Sequence, residues 1–273
     1  MTDNSQKTGT GFAAATPPTV NVITTDTEGL SAGWIDLAVD GQAVPQTIPV
    51  YRAQPAGQSD LPIVLVISEI FGVHEHIADV ARRFAKQGYL ALAPQLFVRQ
   101  GDPSTIADIP TLFRDIVSQA PDAQVNGDID ACVAWAAQNG GNVDKLGITG
   151  FCWGGRVTWL YSSYNPKVKA GVAWYGRLAG DTNDKQTSHP VDVAPTLRVP
   201  VLGLYAAQDT GIPLDTVERM KAALAQGSSG SEFVVYPDAG HAFYADYRPS
   251  YNAQDAQDGW NRTLDWFRQH GVA

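Results

Sequence analysis

A cysteine set between glycines is the most reactive feature of this chain. Gly150-Phe151-Cys152-Trp153-Gly154-Gly155 follows the short apolar run Lys145-Leu-Gly-Ile-Thr149 and precedes Arg156-Val-Thr-Trp-Leu-Tyr161. The first run reads as a buried strand and the second as the start of a helix. A strand, a sharp turn bearing the nucleophile and a helix make a nucleophile elbow, known for serine as Gly-x-Ser-x-Gly. Here the central residue is a thiol. Such a turn strains its nucleophile, and side chains at the flanking positions would collide with the neighbouring strand and helix. A thiol needs a base, usually histidine, and a third group to orient that base. Asp209, after Ala206-Ala-Gln, and His241, in Asp238-Ala-Gly-His241, supply them in the order nucleophile, acid, histidine.

Positioning these groups takes a sheet. Residues 62–67 form a continuous apolar run of strand length, suited to the middle of a parallel sheet. Further strands are predicted at 89–94, 145–149, 168–174, 199–205 and 232–236. Helical spacing covers 76–87, about 110–120, 122–138, 213–226 and 254–270. The helix over 122–138 places Val125, Ile129, Cys132, Val133 and Ala136 on one face. Residues 34–39 and 48–52 read as an antiparallel edge hairpin whose turn region starts at Asp40-Gly41. Residues 95–109 are irregular, and 177–197 are an excursion with charges, Pro190 and Pro195. Strands alternating with helices predict a mostly parallel α/β sheet, which binds ligands at the carboxyl ends of its strands. Glu69, Cys152, Asp209 and His241 each follow a predicted strand.

At 273 residues with 44% hydrophobic content, one domain over 31–273 is expected, behind a flexible tail over 1–30. The net charge of −9 argues against nucleic acid or an anionic membrane surface as partner. Two cysteines make no disulfide framework, and Cys132 reads as a small core residue. No apolar run is long enough to span a bilayer and no signal peptide is visible, so a cytoplasmic location is expected, with export open if the N-terminus is truncated. There is no repeat, glycine-rich phosphate loop or metal-ligand cluster, so neither metal nor cofactor is expected. His74, His76, His189 and His270 have no partner pattern and read as surface or loop residues.

Four motifs in order carry a resemblance: Glu69-Ile-Phe-Gly72, the elbow, Asp209, and Gly240-His241-Ala-Phe243. Together, over about residues 30–270, they resemble the dienelactone hydrolase family. The resemblance implies an α/β-hydrolase fold: a mostly parallel central sheet with helices on both faces and an N-terminal antiparallel edge hairpin. It implies hydrolysis of a small-molecule ester or lactone through a thioester, by a monomer or small homo-oligomer. Cys152 would attack, His241 would take the thiol proton, and Asp209 would orient the imidazole. Backbone N–H groups of Trp153 and Ile70 would hold the oxyanion. Glu69 would contact the resting thiol and disfavour thiolate. Arg99 stands where the family has a substrate-binding arginine. The family's second arginine position is Ala245 here, with Arg248 nearest. Arg99, Tyr175 and Arg248 are therefore the expected substrate-binding residues, with Arg177 and Trp153 as further pocket walls. A glutamine amidotransferase would want His-x-Glu, which His241-Ala-Phe243 breaks. A broad-specificity esterase and a non-catalytic binding protein on the same scaffold are the competing readings.

Overall fold

The structure, a computed structural model, describes residues 22–39, 46–106 and 108–273. Eight strands form one sheet: β1 (Leu30–Val39), β2 (Gln46–Pro55), β3 (Leu61–Ile67), β4 (Leu90–Pro94), β5 (Gly141–Phe151), β6 (Val168–Trp174), β7 (Val201–Ala206) and β8 (Glu232–Tyr236). Their order is β1-β2-β4-β3-β5-β6-β7-β8. β1 pairs antiparallel with β2, and β2 antiparallel with β4; every later pairing is parallel. This is the mostly parallel sheet with an antiparallel edge that the alternation of runs predicts. Ile63 to Ile67 are wholly buried, as a strand covered on both faces requires. The expected turn at Asp40-Gly41 lies outside the described residues.

Helices cover both faces. They are α1 (Glu75–Lys86), α2 (Ile109–Asp115), α3 (Asp122–Gln138), α4 (Trp153–Tyr164), α5 (Pro190–Val193), α6 (Leu214–Leu224) and α7 (Ala253–Gln269). The apolar face expected of α3 is the buried one: Val125, Ile129, Cys132, Val133 and Ala136. No helix among the described residues is long and apolar enough to cross a membrane.

The tail expected over residues 1–30 falls mostly outside the described residues; its last residues contact α1. The Thr25 N–H donates to Asp79 Oδ1 at 2.5 Å, and Arg82 Nε donates to the Thr25 carbonyl at 2.8 Å. Lys86 on α1 reaches Asp26 and the Glu28 carbonyl. β1 accordingly starts at Leu30, four residues before the predicted start.

Register decides where the functional loops emerge. Ile67 lies opposite Gly150, Phe151 opposite Trp174, Trp174 opposite Leu204, and Ala206 opposite Tyr236. The carboxyl ends of β3, β5, β6, β7 and β8 therefore stand level. The residues just past them belong to one edge of the sheet.

Candidate active site

Cys152 sits between β5 and α4 with φ 53° and ψ −112°. A side chain with a Cβ adopts positive φ at a cost, and such strain persists where the surroundings impose it. Here the surroundings are backbone. A Cβ on Gly150 would lie 2.2 Å from the Gly154 carbonyl oxygen, and one on Gly154 would lie 2.3 Å from the Ile67 oxygen. Only glycine lets β3, β5 and α4 approach this closely. The Cys152 N–H donates to the Trp174 carbonyl at 3.0 Å and ties the elbow to β6.

His241 and Asp209 come to the same edge. His241 Nδ1 donates to Asp209 Oδ2 at 2.7 Å. The other carboxylate oxygen of Asp209 accepts the N–H groups of Gly211 at 2.9 Å and Ile212 at 3.2 Å. Asp209 thus caps its own turn and fixes the imidazole at once. With Nδ1 engaged, Nε2 is left for the thiol. Burial opposes charge on His241, but the neighbouring Cys152 and Asp209 outweigh it and raise the imidazole to about 10.

Trp153 and Ile70 border the elbow. Trp153 opens α4, and Ile70 follows the residues 67–68 that press on Gly154. Neither backbone N–H donates a hydrogen bond among the described residues.

Glu69 is buried and its partners differ from the expected one. Its Oε2 accepts from His74 Nε2 at 3.1 Å and from the Tyr247 hydroxyl at 3.0 Å. No hydrogen bond joins it to Cys152, and its Oε1 is buried without a partner. Burial works against the Glu69 charge, yet His74, His76 and Arg248 hold its carboxyl below the usual value.

A cavity of about 360 Å³ opens over Cys152 and His241, with Tyr175, Arg177 and Ile212 among its walls. Its cover is the excursion over 177–197, anchored from several sides. Arg156 grips Asp122 with two hydrogen bonds, 2.8 and 2.9 Å, and reaches the Ser188 carbonyl at 2.7 Å. The Asp122 N–H donates to the Lys185 carbonyl, and Gln186 Nε2 donates to the Val117 carbonyl. Arg99 does not line this cavity: its guanidinium is paired with buried Asp128. Arg248 lies outside the wall too, where its charge acts on Glu69 and Tyr175. Tyr175, of the three expected substrate-binding residues, is the one that faces the cavity.

Three histidines read as surface or loop residues have partners. His76 is buried, with Nδ1 3.1 Å from Asp246 Oδ1. His74 holds Glu69, and His189 is buried with Nε2 donating to the Asp181 carbonyl at 3.0 Å. The partner of His76 is 170 positions away and that of Tyr247 is 178 positions away, so local spacing carried no signal for either. No cluster able to hold a metal ion occurs among the described residues.

The comparisons agree with this architecture. A solved structure from Klebsiella pneumoniae, named "Putative Dienelactone Hydrolase", is 54% identical and superposes with a TM-score of 0.85, covering 88% of this chain and 99% of that one. A protein of Methylorubrum extorquens named "Putative carboxymethylenebutenolidase" is 56% identical over 97% of this chain and 90% of its own length. A protein of the same name from Escherichia coli K12 is 52% identical over 96% of both chains. The fold is that of the α/β-hydrolases. The family model for dienelactone hydrolases matches residues 48–271, and the chain belongs to the dienelactone hydrolase family.

Proposed function

We propose that this chain cleaves its ester or lactone through a thioester on Cys152, with His241 and Asp209 completing a triad. Family membership makes it a hydrolase of esters or lactones; the thiol mechanism is the reading argued from the site. The observation that carries it is the 2.7 Å His241–Asp209 bond beside a cysteine held at positive φ. Cys152 Sγ attacks the acyl carbon, and His241 takes the thiol proton. The acyl carbon–oxygen bond then breaks, and His241 returns the proton to the leaving oxygen. A water activated by His241 hydrolyses the thioester. Asp209 stabilises the imidazolium at each stage. The Trp153 and Ile70 N–H groups receive the oxyanion.

Glu69 acts in this reading as a fixed negative charge near the nucleophile. With His74 and Tyr247 as its partners, it acts on the site through space rather than by a direct bond to Cys152. Rapid-quench mass spectrometry with 4-nitrophenyl acetate tests the mechanism: an acetyl group should appear on Cys152. Hydrolysis at the wild-type rate by Cys152→Ala would sink it.

One observation favours broad ester specificity within the same mechanism. Two arginines would clamp a substrate carboxylate, but Arg99 is spent on Asp128 and Arg248 is outside the cavity wall. Comparable kcat/KM for a dienelactone and for 4-nitrophenyl acetate would bear this out, and a strong preference for the dienelactone would refute it.

A further inference from the structure

Tyr175 is the residue next to the nucleophile whose placement the fold itself does not account for. Its backbone has φ 37°, an outlier for an aromatic residue. Its hydroxyl is fully buried and has no hydrogen-bond partner. Buried tyrosine hydroxyls ordinarily find one. Those of Tyr205, Tyr161 and Tyr236 do, on Gly176, Asp130 and Asp258. Strain and an unmet donor on one residue mark a position kept for something outside the folded chain.

The location narrows what that is. Tyr175 immediately follows β6, and its N–H donates to the Leu204 carbonyl at 2.8 Å. Its ring packs edge-on to His241 with centroids 5.3 Å apart, and it lines the cavity with Cys152. β5 lies between β3 and β6 in the sheet. Ile70 therefore flanks the elbow from one side, whereas Tyr175, Asp209 and His241 come from the strands on the other. In acyl transfer the oxyanion and the leaving oxygen are different substituents of one tetrahedral carbon. The oxyanion falls to Ile70 and Trp153. The leaving oxygen must lie toward His241, which protonates it.

We propose that the Tyr175 hydroxyl donates a hydrogen bond to the leaving oxygen of the ester or lactone as its bond to the acyl carbon breaks. This rests on the cysteine-triad reading. The Cys152 sulfur–carbon bond forms, the carbon–oxygen bond breaks, and the proton that reaches the leaving oxygen comes from His241 Nε2. Tyr175 keeps its own proton. Burial, with Glu69, Tyr247 and Cys152 nearby, pushes the phenol well above its usual range despite Arg248, so it stays a donor at any working pH.

The test compares two acetates with different leaving groups. Tyr175→Phe keeps the ring and removes the hydroxyl. Its kcat on ethyl acetate, with a poor leaving group, should fall about 10- to 100-fold with KM little changed. On 4-nitrophenyl acetate, which needs little help to leave, the fall should stay under about 3-fold. Thermal stability should not drop, because the group removed is an unpartnered buried hydroxyl. Equal losses on the two esters, or none on ethyl acetate, would overturn the proposal. If Tyr175→Phe does not fold, a structure of Cys152→Ala with bound ethyl acetate decides: the Tyr175 oxygen should lie within about 3.2 Å of the ethoxy oxygen, and a hydroxyl turned away from it refutes the proposal. Retained hydrolysis by Cys152→Ala would instead bring down the triad reading, so the two failures are distinguishable.

Discussion

Gly154→Ala tests the elbow most directly. The added methyl would meet the Ile67 oxygen at 2.3 Å and the Ser68 oxygen at 2.6 Å, where ordinary contact begins at 3.4 Å. Both obstacles are backbone, so no side chain can rotate away. β3 and α4 must separate by about 1 Å, at a cost of about 1–3 kcal/mol for overpacking. The separation falls where the chain leads from β3 to Ile70 and where α4 leads back to Cys152. A displacement of that size at reacting groups costs about 10²-fold in rate. Urea unfolding and kcat/KM on 4-nitrophenyl acetate should therefore both fall. Gly127→Ala, on the exposed side of α3 with nothing within 4 Å of its added methyl, is the control. It should gain about 0.5–1 kcal/mol from helix propensity and leave kcat/KM alone. A Gly154→Ala protein with unchanged urea midpoint and full activity would refute the steric account of the elbow.

Three further outcomes are expected. His241 is raised from 6.5 to about 10, so the stability of its pairing is complete below pH 6.5 and is lost as pH rises through about 10; Cys152→Ala, which removes one of the two neighbours that raise it, should lower the titration midpoint seen by NMR of the imidazole, and an unmoved midpoint would contradict the influence of Cys152 on His241. Arg99→Gln should leave KM for 4-nitrophenyl acetate unchanged but destabilise by up to about 3 kcal/mol. Burial already raises Asp128 to about 6 against the pull of Arg99, so this loss should be smaller at pH 5, where Asp128 can protonate, than at pH 8; a rise in KM without loss of stability would return Arg99 to the substrate. Glu69→Gln should speed alkylation of Cys152 by iodoacetamide at neutral pH, and alkylation no faster than in the wild type would remove Glu69 from control of the thiol.

The elbow was legible in the chain because part of its cause is local. Gly150 is required by the Gly154 carbonyl four residues on, so spacing along the chain carries that part of the information, whereas the Ile67 and Ser68 carbonyls that require Gly154 come from β3 and the residue after it. The buried strands were legible for the same reason, since β3 is apolar at every position. β1 was read too short because its first residues alternate poorly: Leu30, Ala32 and Ile35 are partly buried, and Gly33 interrupts the run. What local spacing could not give were the pairs made by folding. His76 looked solitary until the fold brought Asp246 to it. Arg99 follows a strand end, as a substrate anchor should, but α3 presents Asp128 to it. A family position identifies where a side chain starts, and the neighbouring helix decides where it ends.

Asp246 lies five residues beyond His241, and its two oxygens are shared between His76 and Arg83, at 3.1 and 2.6 Å. Both partners belong to α1, across the molecule from the strand that delivers the histidine. The loop that carries His241 is thus moored to a helix that contributes nothing to the cavity. Arg83 is also bonded to Asp79, whose carboxylate holds the Thr25 N–H. Adjustments along the outer turns of α1 can therefore retune the seating of His241 without altering a single atom that substrate meets, which gives mutation a route to vary rate separately from specificity.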